Sequence, residues 1–308
     1  MMSAKAPMAH RLFPATHAAT IQMIAMDIDG TLLDSQARLS AENIAAVSEA
    51  ASAGIEIVIV TGRRFHSARW TVDPLPCNFH VIATNGALVK SRKGETLQRH
   101  LLPVGTARSV VEATAEFRAC TGVIFDRPRE KQVVFEQIDW NGAYVGPYLS
   151  RHRDFVAEIC PLTDCFDSED PLEVMFLGEC AVIERAMNLL EGLPYAHEFS
   201  LSHTAYAHRN LSMLDVLRRG VTKGMALQDW AARRGIAREH IMAIGDNWND
   251  REMLEFAGVP VVMGNSVPEL KALGWHVTLS NDENGVAHAI RKYALSSGKT
   301  AFRNGHSR

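Results

Sequence analysis

The sequence has almost no excess of charge, few cysteines and no long apolar run. Its 32 basic and 35 acidic side chains leave a formal net charge of -3 over 308 residues, too little to hold a nucleic-acid backbone or an anionic membrane surface. Five cysteines, an odd number in a chain of this size, do not make a disulfide framework. No apolar run approaches the roughly 18 residues that span a bilayer. These absences favour a cytoplasmic protein with neither a nucleic-acid nor a membrane partner.

The composition that remains is that of an ordinary globular protein. Hydrophobic residues make up 47% and charged residues 22%, enough for the cores of two domains. Residues 1–20 contain no unbroken apolar stretch, so they are predicted to be a disordered leader rather than a signal peptide. Residues 297–308 are predicted to be an equally disordered tail. The sequence does not fix the oligomeric state, and a monomer or small homo-oligomer is expected.

Short apolar runs alternate with helical spacing towards both ends of the chain. Ile21–Met26 and Ile55–Val60 indicate buried strands, and Ile241–Ile244 repeats the pattern further on. Strands that alternate with helices predict a parallel sheet covered on both faces. We therefore predict an α/β core, a Rossmann-like parallel sheet, formed by residues 21–88 and 218–296.

The middle of the chain has a different pattern. Val123–Phe125 and Val133–Phe135 flank a charged, turn-rich segment and predict a hairpin. Helical spacing occurs over Ala107–Ala119 and Val182–Leu190. This mixture predicts an α+β cap domain, residues 89–217, inserted into the α/β core.

The most informative segment follows the first predicted strand. Asp27 and Asp29 stand two residues apart at the carboxyl end of that strand, where open α/β sheets bind ligands. Continued strand alternation would aim both side chains the same way, so their repulsion calls for a cation between them. Gly30 permits a tight turn whose amides favour an anion. Taken alone, the segment fits a plain strand-to-turn exit equally well.

Three further stretches place polar groups at comparable positions. Thr61 and Gly62 end the second predicted strand and offer a hydroxyl and backbone amides. Lys223 begins a predicted helix, where a cation is unfavourable unless an anion is nearby. Asp246 and Asp250 follow another apolar strand, four residues apart. Each stretch alone fits a helix cap or a solvated side chain, but their joint occurrence predicts one site for a metal ion and an anion.

These stretches resemble the signature motifs of the haloacid dehalogenase (HAD) superfamily of phosphatases. The matching segments are DIDGTLLD at 27–34, Thr61-Gly62-Arg63, the lysine of GVTKG at 220–224 and GDNWNDREML at 245–254. Asn85-Gly86-Ala87, the segment 281–286 and the long insertion before the lysine resemble the Cof-like sugar-phosphatase branch with a type IIB cap. The resemblance covers the chain from Ile21 to about Ala294, and it implies the HAD-like fold.

The resemblance implies hydrolysis of a small phosphorylated metabolite, a sugar phosphate by the branch, through an aspartyl-phosphate intermediate. Asp27 would be the nucleophile, and Asp29 would act as general acid and base. The implied cofactor is Mg²⁺, held by the side chains of Asp27 and Asp246 and by the backbone carbonyl of Asp29. Asp250 would orient the metal-bound waters or Lys223 from outside the ligand set.

The resemblance also implies a set of phosphate-binding groups and a lid. The phosphate would be held by the amides of Ile28 and Gly62 and by the side chains of Thr61, Lys223 and Asn249. The cap would close over the site and contact the leaving group. Polar cap residues that could touch a substrate, although each fits a solvated surface better, are Arg127, Arg129, His203, His208 and Arg209.

Two alternatives use similar residues. A phosphomutase or another phosphotransferase on the same core would pass the phosphoryl group to a second hydroxyl instead of water. A signalling receiver domain has a comparable acidic cluster, threonine and lysine. Receivers, however, lack both a large insertion and the second aspartate, Asp29, that hydrolysis needs.

Overall fold

The computed structural model describes residues 20–167, 169–206 and 209–296. The leader predicted for residues 1–20, apart from Thr20, lies outside the described residues, as do the predicted tail and His208. Within the described ranges, no helix is long and apolar enough to cross a membrane.

The described residues form fourteen β-strands and nine α-helices. The strands are β1 Met23–Met26, β2 Glu56–Val60, β3 His80–Ala83, β4 Leu88–Ser91, β5 Thr96–Arg99, β6 Thr121–Ile124, β7 Val133–Phe135, β8 Val156–Glu158, β9 Glu173–Gly178, β10 Phe199–Tyr206, β11 Leu211–Arg218, β12 Ile241–Gly245, β13 Val259–Val262 and β14 His276–Val277. The helices are α1 Ala41–Ser52, α2 Phe65–Val72, α3 Val104–Ala113, α4 Val145–Leu149, α5 Cys180–Glu191, α6 Lys223–Arg234, α7 Arg251–Phe256, α8 Pro268–Lys271 and α9 Gly285–Ala289.

The first sheet has the strand order β14-β13-β12-β1-β2-β3-β4-β5. Its strands from β14 to β3 are parallel, and β4 and β5 pair antiparallel at one edge. All four residues of β1 are buried, as expected of a central strand covered on both faces. The predicted fold class, an α/β core with a cap, is confirmed.

Adjacent central strands bring distant motifs together. Strand β1 lies between β12 and β2, with Met26 opposite both Ile244 and Ile59. Asp27 continues the pairing, because its amide donates to the Ile244 carbonyl at 3.1 Å. The residues that follow β1, β2 and β12 therefore meet at one edge of the sheet.

The second sheet belongs to the predicted insertion and has the order β10-β11-β9-β6-β7-β8. Strands β6 and β7 form the predicted hairpin. Helix α5 covers its predicted range, whereas α3 ends at Ala113, before the predicted end at Ala119. Buried Thr114 ends it, since its hydroxyl donates to the Val110 carbonyl and its backbone leaves the helical region.

The two faces of the second sheet differ because strand side chains alternate. Phe176 and Leu214 belong to a buried cluster with residues of α3 and α5. On the opposite face, Met213 and Asp215 of β11 line a cavity over the first sheet. The pairing of β4 and β5 extends the first sheet to Arg99, beyond the predicted core boundary at residue 88. The division into core and cap domains stays a prediction.

Candidate active site

A cavity of about 600 Å³ lies between the carboxyl edge of the first sheet and the second sheet. Its floor comes from the loops that follow β1, β2 and β12, and its roof comes from β10 and β11. The predicted site residues that line this cavity are Asp27, Asp29, Thr61, Gly62, Lys223 and Asn249.

Lys223 is the cationic centre of the floor. It begins α6, as predicted, and is only 2% exposed. Its Nζ donates to Asp27 Oδ1 at 2.7 Å and to Asp250 Oδ1 at 2.6 Å. Burial alone would lower the pKa of Lys223, but the Asp250 and Asp27 carboxylates raise it above its usual range. These carboxylates are the anions that a lysine at a helix N-terminus requires.

Asp27, Asp246 and Asp250 form a compact group of carboxylates. One oxygen from each lies within 4.8 Å of the others. Burial, with the nearby Asp250 and Asp29 charges, raises the pKa of Asp27 to about 7 despite the opposing charge of Lys223. Burial and the neighbouring Asp250 and Asp27 carboxylates also raise the pKa of Asp246. A bound divalent cation would relieve this repulsion, and an all-oxygen donor set fits Mg²⁺.

Asp250 already has partners for both of its carboxylate oxygens. Oδ1 accepts from Lys223, and Oδ2 accepts from the amides of Asp246 and Asn247 at 3.0 and 3.1 Å. Asp250 thus caps the turn that follows β12 while it holds the lysine. This geometry fits the predicted role outside the metal ligand set better than direct coordination.

Gly30 makes room for Asp246 beneath the first loop. Its φ of +79° lies in the left-handed region, and a Cβ at this position would overlap the Asp246 carboxylate. The next residue, Thr31, donates its hydroxyl to Asp246 Oδ1 at 2.8 Å. The turn after β1 therefore fixes an acidic side chain that comes from 215 residues further along the chain.

Asp29 is not a member of this carboxylate group, and its side chain pairs with Arg63. The guanidinium donates from Nε to Oδ2 at 2.7 Å and from Nη2 to Oδ1 at 2.5 Å. Arg63 thus supplies a cation to Asp29, and the predicted metal ion beside Asp27 stays a prediction. Arg63 is a functional candidate that the sequence reasoning missed, although it stands in the Thr61-Gly62-Arg63 motif.

The remaining predicted phosphate ligands surround the same floor. Thr61 is buried, and its hydroxyl accepts from the Arg63 amide at 3.1 Å. Gly62 and Asn249 line the cavity. The side chain of Ile28 packs in the hydrophobic core, so only its backbone is available for the predicted role. The catalytic, metal-binding and phosphate-binding roles all stay predictions.

The cap contributes residues that the sequence did not single out. Tyr206 at the end of β10 lines the cavity. Burial and the nearby Asp29, Asp27 and Asp246 carboxylates raise the pKa of Tyr206. Of the cap candidates named from the sequence and described by the structure, Arg209 lines the cavity.

The other described cap candidates have different partners. Arg127 pairs with Glu169, with Nη2 2.7 Å from the carboxylate, and Arg129 pairs with Asp154 at 2.5 Å. His203 contacts the Ser212 hydroxyl at 2.7 Å. These contacts favour structural or surface roles for the three side chains.

Comparison with known proteins gives consistent matches over nearly the whole chain. A family model for haloacid dehalogenase-like hydrolases matches residues 24–290. A Streptococcus pyogenes protein named as a candidate phosphatase is 31% identical over 90% of this chain and 100% of its own. The Bacillus subtilis protein YwtE, named 5-amino-6-(5-phospho-D-ribitylamino)uracil phosphatase, is 28% identical over 88% of this chain and 97% of its own.

A solved structure gives the same result. BT1666 from Bacteroides thetaiotaomicron, described as a phosphatase of the HAD enzyme superfamily, superposes with a TM-score of 0.72 at 26% identity. The match covers 93% of this chain and 100% of BT1666. The chain therefore belongs to the haloacid dehalogenase-like hydrolase family.

Proposed function

We propose that the protein hydrolyses phosphate monoesters of small metabolites, with sugar phosphates as the preferred class, using Mg²⁺ and an aspartyl-phosphate intermediate. The enzyme class, a HAD-type phosphatase, follows from the family and from its phosphatase relatives. The proposed mechanism rests mainly on one observation. Buried Lys223 contacts Asp27 and Asp250, and Asp246 lies beside them. This arrangement supports the proposal because a buried carboxylate, a cation and a group of acidic side chains that could hold a metal lie together beside one cavity.

Each residue of the site has its own proposed role in phosphoryl transfer. Asp27 attacks phosphorus through the carboxylate oxygen that Lys223 does not hold. Lys223, Thr61, Asn249 and the Gly62 amide bind the phosphoryl oxygens, whose charge must be neutralised during transfer. Mg²⁺, held by Asp27, Asp246 and the Asp29 carbonyl, would supply further charge neutralisation.

Asp29 is the proposed acid and base. It protonates the leaving oxygen in the first half-reaction and accepts a proton from water in the second. Arg63 orients its carboxylate through two hydrogen bonds. The cap roof excludes bulk water and contacts the leaving group.

The direct test is a panel of phosphorylated metabolites assayed for inorganic phosphate with Mg²⁺ and, in parallel, with EDTA. We expect release of one phosphate per ester cleaved, loss of activity in EDTA and recovery with excess Mg²⁺. Transfer of the phosphoryl group to another hydroxyl without phosphate release would instead establish the phosphotransferase alternative. Equal activity with and without EDTA would contradict the metal requirement.

Replacing Asp246 with asparagine should abolish the stabilisation of the protein by Mg²⁺. A ligand that binds only the folded state stabilises it by about 2.7 kcal/mol at 100 times its Kd, so wild type should unfold at a higher temperature in MgCl₂ than in EDTA. The variant loses a charged oxygen ligand, and its unfolding temperature should not respond. Asp73→Asn, at an exposed aspartate, is the matched control, and NaCl controls for ionic strength. An undiminished Mg²⁺ response in Asp246→Asn would contradict the assigned site.

Replacing Arg63 with methionine should lower kcat by about 10- to 100-fold, because Asp29 loses the group that orients it. Arg63→Lys should recover part of the rate by keeping a cation beside the carboxylate. Arg38→Met is the matched control, since it removes an arginine paired with Asp34 in an exposed contact away from the cavity. Wild-type kcat in Arg63→Met would show that the Arg63–Asp29 pair has no part in catalysis.

A further inference from the structure

Three buried polar atoms, in residues that line the cavity, have no hydrogen-bond partner among the described residues. They are Asn85 Oδ1, Asp215 Oδ1 and Arg64 Nε. Their residues are 3%, 6% and 5% exposed, and all three line the cavity. Unpaired polar groups at such depth cost free energy unless a ligand satisfies them. The proposed chemistry of the phosphoryl group does not use these atoms.

Asn85 links the core to the cap beside the phosphate-binding turn. Its Nδ2 donates to Asp215 Oδ2 at 2.8 Å, which fixes both side chains and leaves one oxygen of each free. A Cβ added to Gly62 would lie 3.0 Å from Asn85 Oδ1, so this oxygen lies next to the phosphate turn. The free atoms therefore extend from the phosphate end of the cavity to its roof.

An unusual backbone holds Asn85 in this position. Thr84, Asn85 and Gly86 have φ values of +53°, +48° and +108°. For the two residues with side chains, this region costs energy and persists only where the surrounding structure imposes it. At Gly86 a Cβ would overlap the Thr222 carbonyl, which ties this turn to the start of α6.

The roof also carries a second acidic group. Burial raises the pKa of Asp215 to about 7 even though Asn85 donates to it. Burial and the Asp215 charge raise the pKa of Glu173, against the opposing charge of Arg64. The burial that disfavours the charged form of these two acidic groups would also disfavour a further negative charge on the leaving group, so an uncharged leaving group fits the roof better.

Donor and acceptor groups occur together at this end of the cavity. Asp215 and Asn85 offer oxygens that accept, and Arg64 offers an N–H that donates. A hydroxyl group both donates and accepts, whereas a carboxylate only accepts and an ammonium only donates. Of these three groups, only hydroxyls can both donate to Asn85 and Asp215 and accept from Arg64.

Resting on the proposed function, we propose that Asn85, Asp215 and Arg64 form a subsite that binds hydroxyl groups of an uncharged, polyhydroxylated leaving group. The subsite makes the enzyme prefer sugar and polyol phosphates over esters that lack hydroxyls. Asp215 is its central residue, because Asn85 holds Oδ2 and leaves Oδ1 available to a ligand.

The test compares kcat/KM for polyol esters, glucose 6-phosphate and sorbitol 6-phosphate, with that for phenyl phosphate in the full chain with Mg²⁺. In Asp215→Asn, the amide oxygen can keep the contact with Asn85 Nδ2, and the amide nitrogen, which cannot accept a hydrogen bond, then takes the place of the free Oδ1. A substrate hydroxyl that donates to Oδ1 in the wild type therefore loses its acceptor. We expect the ratio of polyol to phenyl kcat/KM to fall by about 10- to 100-fold. Asn85→Gly, which tolerates the positive φ, should lower the ratio in the same direction.

Ser202→Ala is the matched control, since Ser202 lies opposite Asp215 on β10 and does not line the cavity. Its ratio should stay within about twofold of wild type. If Asp215→Asn folds and leaves the ratio of polyol to phenyl kcat/KM unchanged, the proposed subsite is wrong. If Asp215→Asn does not fold, an unchanged ratio in Asn85→Gly has the same meaning. A wild type that cleaves phenyl phosphate faster than every polyol ester would also overturn the subsite. A wild type that cleaves none of these esters would refute the proposed function itself.

Discussion

Replacing Asp27 with asparagine is expected to lower kcat by at least about 10³-fold, because the amide cannot attack phosphorus. The buried position of Asp27, 4% exposed, makes the result interpretable. Burial raises the pKa of its carboxyl group to about 7, so a neutral side chain of the same shape removes an unfavourable charge. The variant should therefore fold with an unfolding temperature close to that of wild type in EDTA, as circular dichroism can measure.

The matched control is Asp34→Asn, which makes the same change in the same loop. Asp34 is bound to Arg38 at the surface, and it does not line the cavity. Its kcat should equal that of wild type. Substantial turnover by a folded Asp27→Asn variant would exclude Asp27 as the nucleophile, whatever the behaviour of the control.

Replacing Lys223 with alanine should be nearly as severe for activity, with a loss in kcat of about 10²- to 10³-fold. It should also destabilise the protein. Removing one partner of a buried charge contact leaves Asp27 and Asp250 without their cation, which costs about 3–5 kcal/mol. Because Mg²⁺ would then be the principal cation beside these carboxylates, the stability of the variant should depend on Mg²⁺ more strongly than that of wild type.

Denaturant unfolding with Mg²⁺ and with EDTA measures this dependence, and assays below the unfolding transition measure kcat. Lys271→Ala is the control, because Lys271 is a partly buried lysine that donates to the Gly264 carbonyl away from the cavity. Near wild-type kcat in Lys223→Ala would contradict the proposed phosphoryl-binding role. A folded variant with unchanged stability would contradict the charge argument.

The positions of the motifs could be predicted from the sequence because local patterns determine them. Apolar runs mark the central strands, and the residues that end those runs lie at the carboxyl edge of the sheet. The lysine at the start of α6 was predicted to need an anion, and Asp27 and Asp250 provide it. Each of these predictions depends only on residues that are close together in the sequence.

Contacts between distant segments could not be predicted in the same way. The pairing of Arg63 with Asp29 depends on how two loops turn after their strands, which alternation along β1 does not describe. The bond between Asn85 and Asp215 depends on the register of β11 and on where the cap lies over the core. Single-sequence patterns contain no information on either.

The extension of the first sheet beyond residue 88 could not be predicted from the sequence either. Residues 88–99 form β4 and β5, which pair antiparallel beyond β3. Their short polar sequences, LVKS and TLQR, lack the continuous apolar run of a buried parallel strand. Only β5 is an edge strand, but neither strand needs such a run, since antiparallel strands can have one face in solvent.

Rapid acid quench of the enzyme during turnover of a phosphate ester, followed by borohydride reduction and peptide mass analysis, identifies the residue that carries the phosphoryl group. Reduction converts an aspartyl-phosphate to homoserine and so marks the residue that carried the phosphoryl group. We expect homoserine at position 27 in wild type with Mg²⁺, and none in EDTA or in Asp27→Asn. Homoserine at another aspartate, or none at all while the enzyme turns over, would contradict the proposed aspartyl-phosphate at Asp27.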